Sequence, residues 1–130
     1  MKNGFKLWVV FPATPSEIYK AWLSSKGHSA MTGSAAKVTG RVEGKFSAWD
    51  GYIFGRTLDL EPDRRIVQAW RTSEFPNEAP DSRLEVLLEG TKAGTKVTLT
   101  HSEIPKGQVD SYKQGWEDFY FKPMKEYFGK

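Results

Sequence analysis

At 130 residues the chain is long enough to bury a hydrophobic core without staples, and it contains no cysteine, which excludes a thiol nucleophile, a thiolate zinc site and a disulfide framework. Its 19 basic and 16 acidic side chains leave a formal charge of +3, but the two signs are interspersed and no basic stripe marks a nucleic-acid surface. Aromatic residues make up 14% of the sequence, five Trp among them, an excess that a core or a binding cavity has to absorb.

The first apolar run, Leu7 to Phe11, reads as a strand. Although Lys2 and Lys6 precede it, five residues are too few for a secretory h-region, and no other stretch approaches the ~20 apolar residues of a membrane span. The expectation is one domain over residues 1–130, soluble and cytoplasmic, with neither membrane nor nucleic acid as partner. Thr14-Pro15-Ser16-Glu17 then has the form of a capping box, with Pro15 suited to the first helical position. A short helix should follow, burying Ile18, Ala21 and Trp22. Ser24 to Ser34, with Gly27 and Gly33, reads as a second helical turn or an irregular connection, which would leave His28 at the surface.

From Ala35 to His101 the pattern alternates with period two between closely spaced turns, as an antiparallel meander should. The strands are predicted at Ala36 to Val42, Lys45 to Trp49, Tyr52 to Leu60, Arg65 to Thr72, Arg83 to Glu89 and Thr95 to Ser102. Asp50-Gly51 is a hairpin signal, Pro62-Asp63 and Ala93-Gly94 are turns, and Phe75 to Asp81 is a loop with two prolines. Leu84, Val86 and Leu88 oppose Glu85 and Glu89, and Val97 and Leu99 oppose Lys96, Thr98 and Thr100, so one face of the sheet is apolar.

Gln108 to Phe128 supplies what covers that face. Val109, Tyr112, Trp116, Phe119, Tyr120, Met124 and Tyr127 recur at helical spacing, over a length of roughly 30 Å. Gly115 is expected to let the helix approach the sheet, and Pro123 to bend it near Phe119. The predicted architecture is α+β: a curved antiparallel sheet wrapped around a long C-terminal helix, with short helices after the first strand.

The ordered set Gly44-Lys45-Phe46, Trp49-Asp50-Gly51, Gly55, Ile66-Val67-Gln68 and Trp70-Arg71, continued by Gly94-Thr95, Leu99-Thr100, Gly115-Trp116, Tyr120 and Tyr127-Phe128, resembles the activator of Hsp90 ATPase homologue (AHSA1-like) domains. Thr14 to Tyr19 is similar to that family's first helix. The resemblance covers nearly the whole chain and implies the START-like (SRPBCC) helix-grip fold. The family's eukaryotic namesake is a two-domain co-chaperone whose C-terminal domain this chain resembles, which makes a chaperone a candidate partner. The wider superfamily encloses apolar ligands between helix and sheet, and a minority of its members are enzymes.

The candidate base is His101, which shares parity with Val97 and Leu99 and should point toward the helix; the other reading puts it at the sheet rim. No second catalytic partner follows from spacing. His-x-His, His-Glu-x-x-His, Asp-rich loops, Gly-x-Ser-x-Gly elbows and phosphate-cradling glycine runs are all missing, so no catalytic residue, metal or cofactor is assigned. Arg56, in phase with Tyr52, Phe54, Leu58 and Leu60, and Gln68, in phase with Ile66 and Trp70, either line a cavity or lie on the outer face.

The function expected is non-catalytic binding of a small hydrophobic or amphipathic ligand between sheet and helix. Phe46, Trp70, His101, Tyr112, Trp116 and Tyr120 are the expected lining, with the His and Tyr tips orienting the ligand. A co-chaperone module docking through the Phe75 to Asp81 loop or the basic side chains of the last helix is the alternative. A cyclase- or hydrolase-like enzyme with His101 as base is a further one.

Overall fold

The computed structural model describes residues 3–129. Seven strands form one antiparallel sheet in the order β1-β7-β6-β5-β4-β3-β2. They are β1 (Phe5–Phe11), β2 (Lys37–Val38), β3 (Lys45–Ala48), β4 (Ile53–Glu61), β5 (Arg65–Thr72), β6 (Ser82–Thr91) and β7 (Gly94–Ser102). Between β1 and β2 lie α1 (Pro15–Trp22) and α2 (Ser25–Thr32). The C-terminal helix is α3 (Val109–Trp116), a π-helical turn (Glu117–Phe121) and α4 (Lys122–Phe128). This is the helix-grip architecture read from the alternation and the terminal stripe. Among the described residues no helix is long and apolar enough to cross a membrane.

The capping box forms at the start of α1: Thr14 Oγ1 accepts from the backbone N–H of Glu17, and Glu17 Oε1 from that of Thr14. Ser24 caps α2 in the same way through the Gly27 N–H, and Gly33, at φ 81°, ends it. The Gly/Ser-rich stretch is therefore a regular two-turn helix. Its inward side carries His28, which is 3% exposed and not the surface residue expected.

Two further local readings change. The strand expected at Ala36 to Val42 shrinks to Lys37–Val38, because residues 39–44 turn back on themselves through Arg41 N–H to Thr39 O and Gly44 N–H to Arg41 O. In β4 the register with β5 shifts between Thr57 and Asp59, so Leu58 is an extra residue that divides the strand into two phases. Before it Ile53 and Thr57 face the core; after it Leu60, paired with Ile66, packs against that core. Arg56 consequently lies on the outer face, exposed and paired with Glu43, whereas Gln68 is buried.

The core fills the space between the sheet and the helices. Ile66, Leu84, Val86, Leu88, Val97 and Leu99 are buried from the sheet, and Tyr112, Trp116, Tyr120, Phe121 and Met124 from the helix. The π-helical turn causes the two successive burials at Tyr120 and Phe121: the N–H of Lys122 reaches the carbonyl of Glu117, five residues back, which inserts one residue into the helical phase. Phe119 is thereby turned outward, 54% exposed, and Tyr127 is 40% exposed, whereas helical spacing alone puts both on the buried stripe. Phe128 takes the inward place instead, with its ring 6.0 Å from that of Phe11. The irregularity sits at the predicted bend, just before Pro123, which has no N–H to return to Phe119.

Candidate functional site

A cavity of about 360 Å³ opens where the C-terminal helix stands away from β4, β5 and the β3–β4 hairpin. Its floor is Ile53, Trp70, Tyr112, Trp116 and Tyr120, all buried. Its rim is Trp49, Tyr52, Ser111, Gly115 and Phe119, exposed or half-buried. The wall is almost wholly apolar, and no Lys, Arg, Asp, Glu or His stands in it. The helix supplies Tyr112, Trp116 and Tyr120 at intervals of four residues, and the pleat of β5 turns Trp70 to the same side.

Of the residues expected to line a site, Trp70, Tyr112, Trp116 and Tyr120 meet here. Phe46 and His101 stand outside the wall. Phe46 is buried opposite Gly55 on β4, where a Cβ would collide with the carbonyl oxygen of Ala69 and come within 3.1 Å of the Phe46 ring. His101 lies behind Trp70, edge to face with ring centroids 4.5 Å apart, and has no exposed surface. It points toward the C-terminal helix, as its parity with Val97 and Leu99 implies, but it occupies neither a rim nor a cavity wall.

Hydrogen bonds fix the state of both histidines. Trp116 Nε1–H donates to His101 Nδ1 at 3.1 Å, so the imidazole carries its proton on Nε2 and gives it to Ser82 Oγ at 2.7 Å; Ser82 in turn donates to the carbonyl of Trp70. Burial without a countercharge pushes the His101 pKa down to about 3. His28 uses the opposite tautomer: Nδ1–H donates to the Trp22 carbonyl at 2.9 Å, and Nε2 accepts from the Tyr120 hydroxyl at 2.7 Å. Burial lowers the His28 pKa and raises that of Tyr120. Both imidazoles are neutral at pH 7, and both are occupied.

The same holds for the other polar tips. Tyr112 Oη is shared with Thr72 Oγ1 at 2.7 Å and Gln108 Oε1 at 2.6 Å. Trp22 Nε1 reaches Gln68 Oε1, and Gln68 Nε2 reaches Thr57 Oγ1 at 3.2 Å. Tyr52 Oη bonds Glu74. Thus each inward aromatic tip on the C-terminal helix is answered by a polar side chain: Tyr112 by Thr72, Trp116 by His101, Tyr120 by His28. The tips expected to orient a ligand instead anchor the aromatics to the rest of the fold.

Gly115 plays a different part from the one its spacing suggests. A Cβ there would meet only Phe119 Cδ2, at 3.7 Å, and nothing of the sheet. Its missing side chain keeps the cavity open rather than letting helix and sheet close together. The rim residues Tyr52 and Ser111 carry no sequence signal that singles them out. Trp49 could be weighed as an aromatic, but its backbone, in the left-handed region at φ 52° with Asp50 at 57° beside it, was not legible.

Residues 12–129 match the model of a family described as Activator of Hsp90 ATPase homolog 1-like protein. The human Activator of 90 kDa heat shock protein ATPase homolog 1 is 28% identical over 119 residues, 92% of this chain and 35% of that protein. The Hsp90 co-chaperone AHA1 of Saccharomyces cerevisiae is 25% identical, with the same two coverages. The chain thus spans about a third of the length of the curated relatives it matches. A crystal structure of an HSP90 activator from Plasmodium falciparum superposes with a TM-score of 0.88 at 26% identity, covering 97% of this chain and 96% of that one.

Proposed function

The chain belongs to the Activator of Hsp90 ATPase homolog 1-like family, and on that footing we propose that it is a binding module whose aromatic cavity takes up a small apolar or amphipathic molecule without transforming it. The observation that carries this reading is the wall itself: about 360 Å³ bounded by Trp, Tyr, Phe and Ile side chains, a size and chemistry suited to a small hydrophobic ligand. Binding is favoured over catalysis because the ionisable groups in the wall are tyrosines, with Tyr52, Tyr112 and Tyr120 all raised by burial. A nucleophile paired with a base is not among them. Native mass spectrometry of the purified protein, set against its denatured mass, tests the reading: a reproducible bound species supports it. A clean apo mass, with no saturable uptake of added apolar probes, counts against it.

The second reading, an Hsp90-type chaperone as partner, draws on the relatives' names and on the near-complete coverage of the Plasmodium activator. Of the two surfaces considered for docking, the Phe75 to Asp81 loop keeps Phe75 buried, 5% exposed, whereas Lys113, Lys122 and Lys125 on the last helix are exposed. The basic side chains of the last helix are the better candidate, although Lys122 is paired with Asp118, and they predict binding that weakens with salt. A pull-down with the host's Hsp90 at low and high ionic strength checks it; no capture at micromolar concentration sinks it.

A further inference from the structure

Among the described residues one buried side-chain polar atom lacks a hydrogen-bond partner, and it is Trp49 Nε1, on a residue of the cavity rim. The Trp22 and Trp116 indoles and the imidazole, phenol and amide tips around it are bonded, and an indole N–H can only donate, so this is the one buried side-chain donor the site leaves unspent; Ser111, also on the rim, is exposed. An unpaired buried N–H costs free energy and persists where something else in the molecule requires it.

Two observations say what that is. Trp49 is held at φ 52°, a left-handed backbone that a bulky aromatic rarely adopts, in a hairpin whose next two residues, at 57° and 88°, share that conformation. Its ring is packed edge to face on Phe119, with centroids 5.2 Å apart, and an aromatic face is at best a weak acceptor. Phe119 is the residue that the π-helical turn carries outward, and π turns of this kind concentrate at functional sites. Phe119, the ring packed on Trp49, is itself more than half exposed.

Resting on the cavity reading above, we propose that Trp49 is the ligand-orienting donor of this site: displacement of Phe119 uncovers its indole N–H, which then hydrogen-bonds a carbonyl or ether oxygen of a neutral, flat, otherwise apolar ligand. Neutrality follows from a wall without ionised side chains, and flatness from the surrounding Trp and Tyr rings. A single buried acceptor follows from the single buried donor left unspent, since the Ser111 hydroxyl stands only at the exposed rim.

Two fluorescent probes differing in one group test this: 6-propionyl-2-(dimethylamino)naphthalene, which carries a ketone, and 2-(dimethylamino)naphthalene, which does not. Each is titrated into wild type and Trp49→Phe. The expected result is that Trp49→Phe weakens the ketone on the order of three- to tenfold relative to the ketone-free probe, the worth of one neutral hydrogen bond. In the ¹⁵N-labelled wild type, the Trp49 indole resonance should move downfield with the ketone and not with its analogue. That readout does not require the variant to fold. If both probes bind but the affinity ratio and the indole resonance do not respond, the donor role falls and the cavity reading stands. If neither probe binds wild type at its solubility limit, both fall together.

Discussion

Trp116 donates its indole N–H to His101 Nδ1 across 3.1 Å, which ties the C-terminal helix to the last strand through a nitrogen that must stay unprotonated. Protonating His101 would set N–H against N–H in a site with no exposed surface. Its folded pKa of about 3 lies below the ordinary 6.5, and that of His28 is lowered as well, so the unfolded chain takes up protons below pH 6.5 that the folded one refuses. The contribution is fully present above pH 6.5 and is lost as pH falls, by up to roughly 1.4 kcal/mol per pH unit for each histidine; for His101 the loss continues toward pH 3. Between pH 6.5 and 5, before most carboxylates titrate, urea midpoints should fall steeply. His101→Asn should be less stable at pH 7.5 yet show a shallower slope; an unchanged slope would assign the pH dependence elsewhere.

Tyr120→Phe removes the hydroxyl that satisfies His28 Nε2 without altering the ring that stacks on Trp22, centroids 5.3 Å apart. An unpaired buried acceptor remains. A loss of about 1–3 kcal/mol is expected in chemical denaturation at pH 7.5. A loss below about 0.5 kcal/mol would mean that water reaches the site.

Gly115 separates folding from binding. Gly115→Ala should stabilise the protein by about 0.5–1 kcal/mol, since the added methyl meets only Phe119 at van der Waals distance and Gly is costly inside a helix. Gly115→Leu should remain folded and fill the cavity mouth, abolishing uptake of a naphthalene probe. Probe binding by a folded Gly115→Leu at wild-type affinity would place the ligand elsewhere.

Arg71 holds the loop that follows β5, donating to the carbonyls of Pro76 and Ala79 and to Asp81, with its guanidinium 5.3 Å from the Phe75 ring centroid. Arg71→Ala should free residues 76–81 while leaving the sheet paired. Limited proteolysis checks this: the expected outcome is new cleavage within that loop at protease levels the wild type resists.

The parts of the fold legible in the sequence are those where one physical rule acts alone. Alternation placed β5, β6 and β7, the capping box placed α1, and helical spacing placed Tyr112, Trp116, Tyr120 and Met124 on the buried face. What escaped depends on single-residue departures from a period. The extra Leu58 moved Arg56 and Leu60 to opposite faces, and the π-helical turn put Phe121 inside and Phe119 outside. For the site, residue type identified Trp70, Tyr112, Trp116 and Tyr120, but bonding decided their role. His101 and the tyrosine hydroxyls carry no sequence mark showing that Ser82, Thr72 and His28 already occupy them.

The π-helical turn also divides the aromatics of the C-terminal helix between two faces. With the extra residue accommodated at Glu117–Phe121, the buried set runs through Tyr120, Phe121, Met124 and Phe128; unbroken helical spacing presents Phe119 and Tyr127 in place of Phe121 and Phe128. Aromatics stand ready on both faces. One residue of helical phase thus decides which side chain stands at the cavity rim, and it is Phe119 because the surplus residue is taken up at Glu117–Phe121.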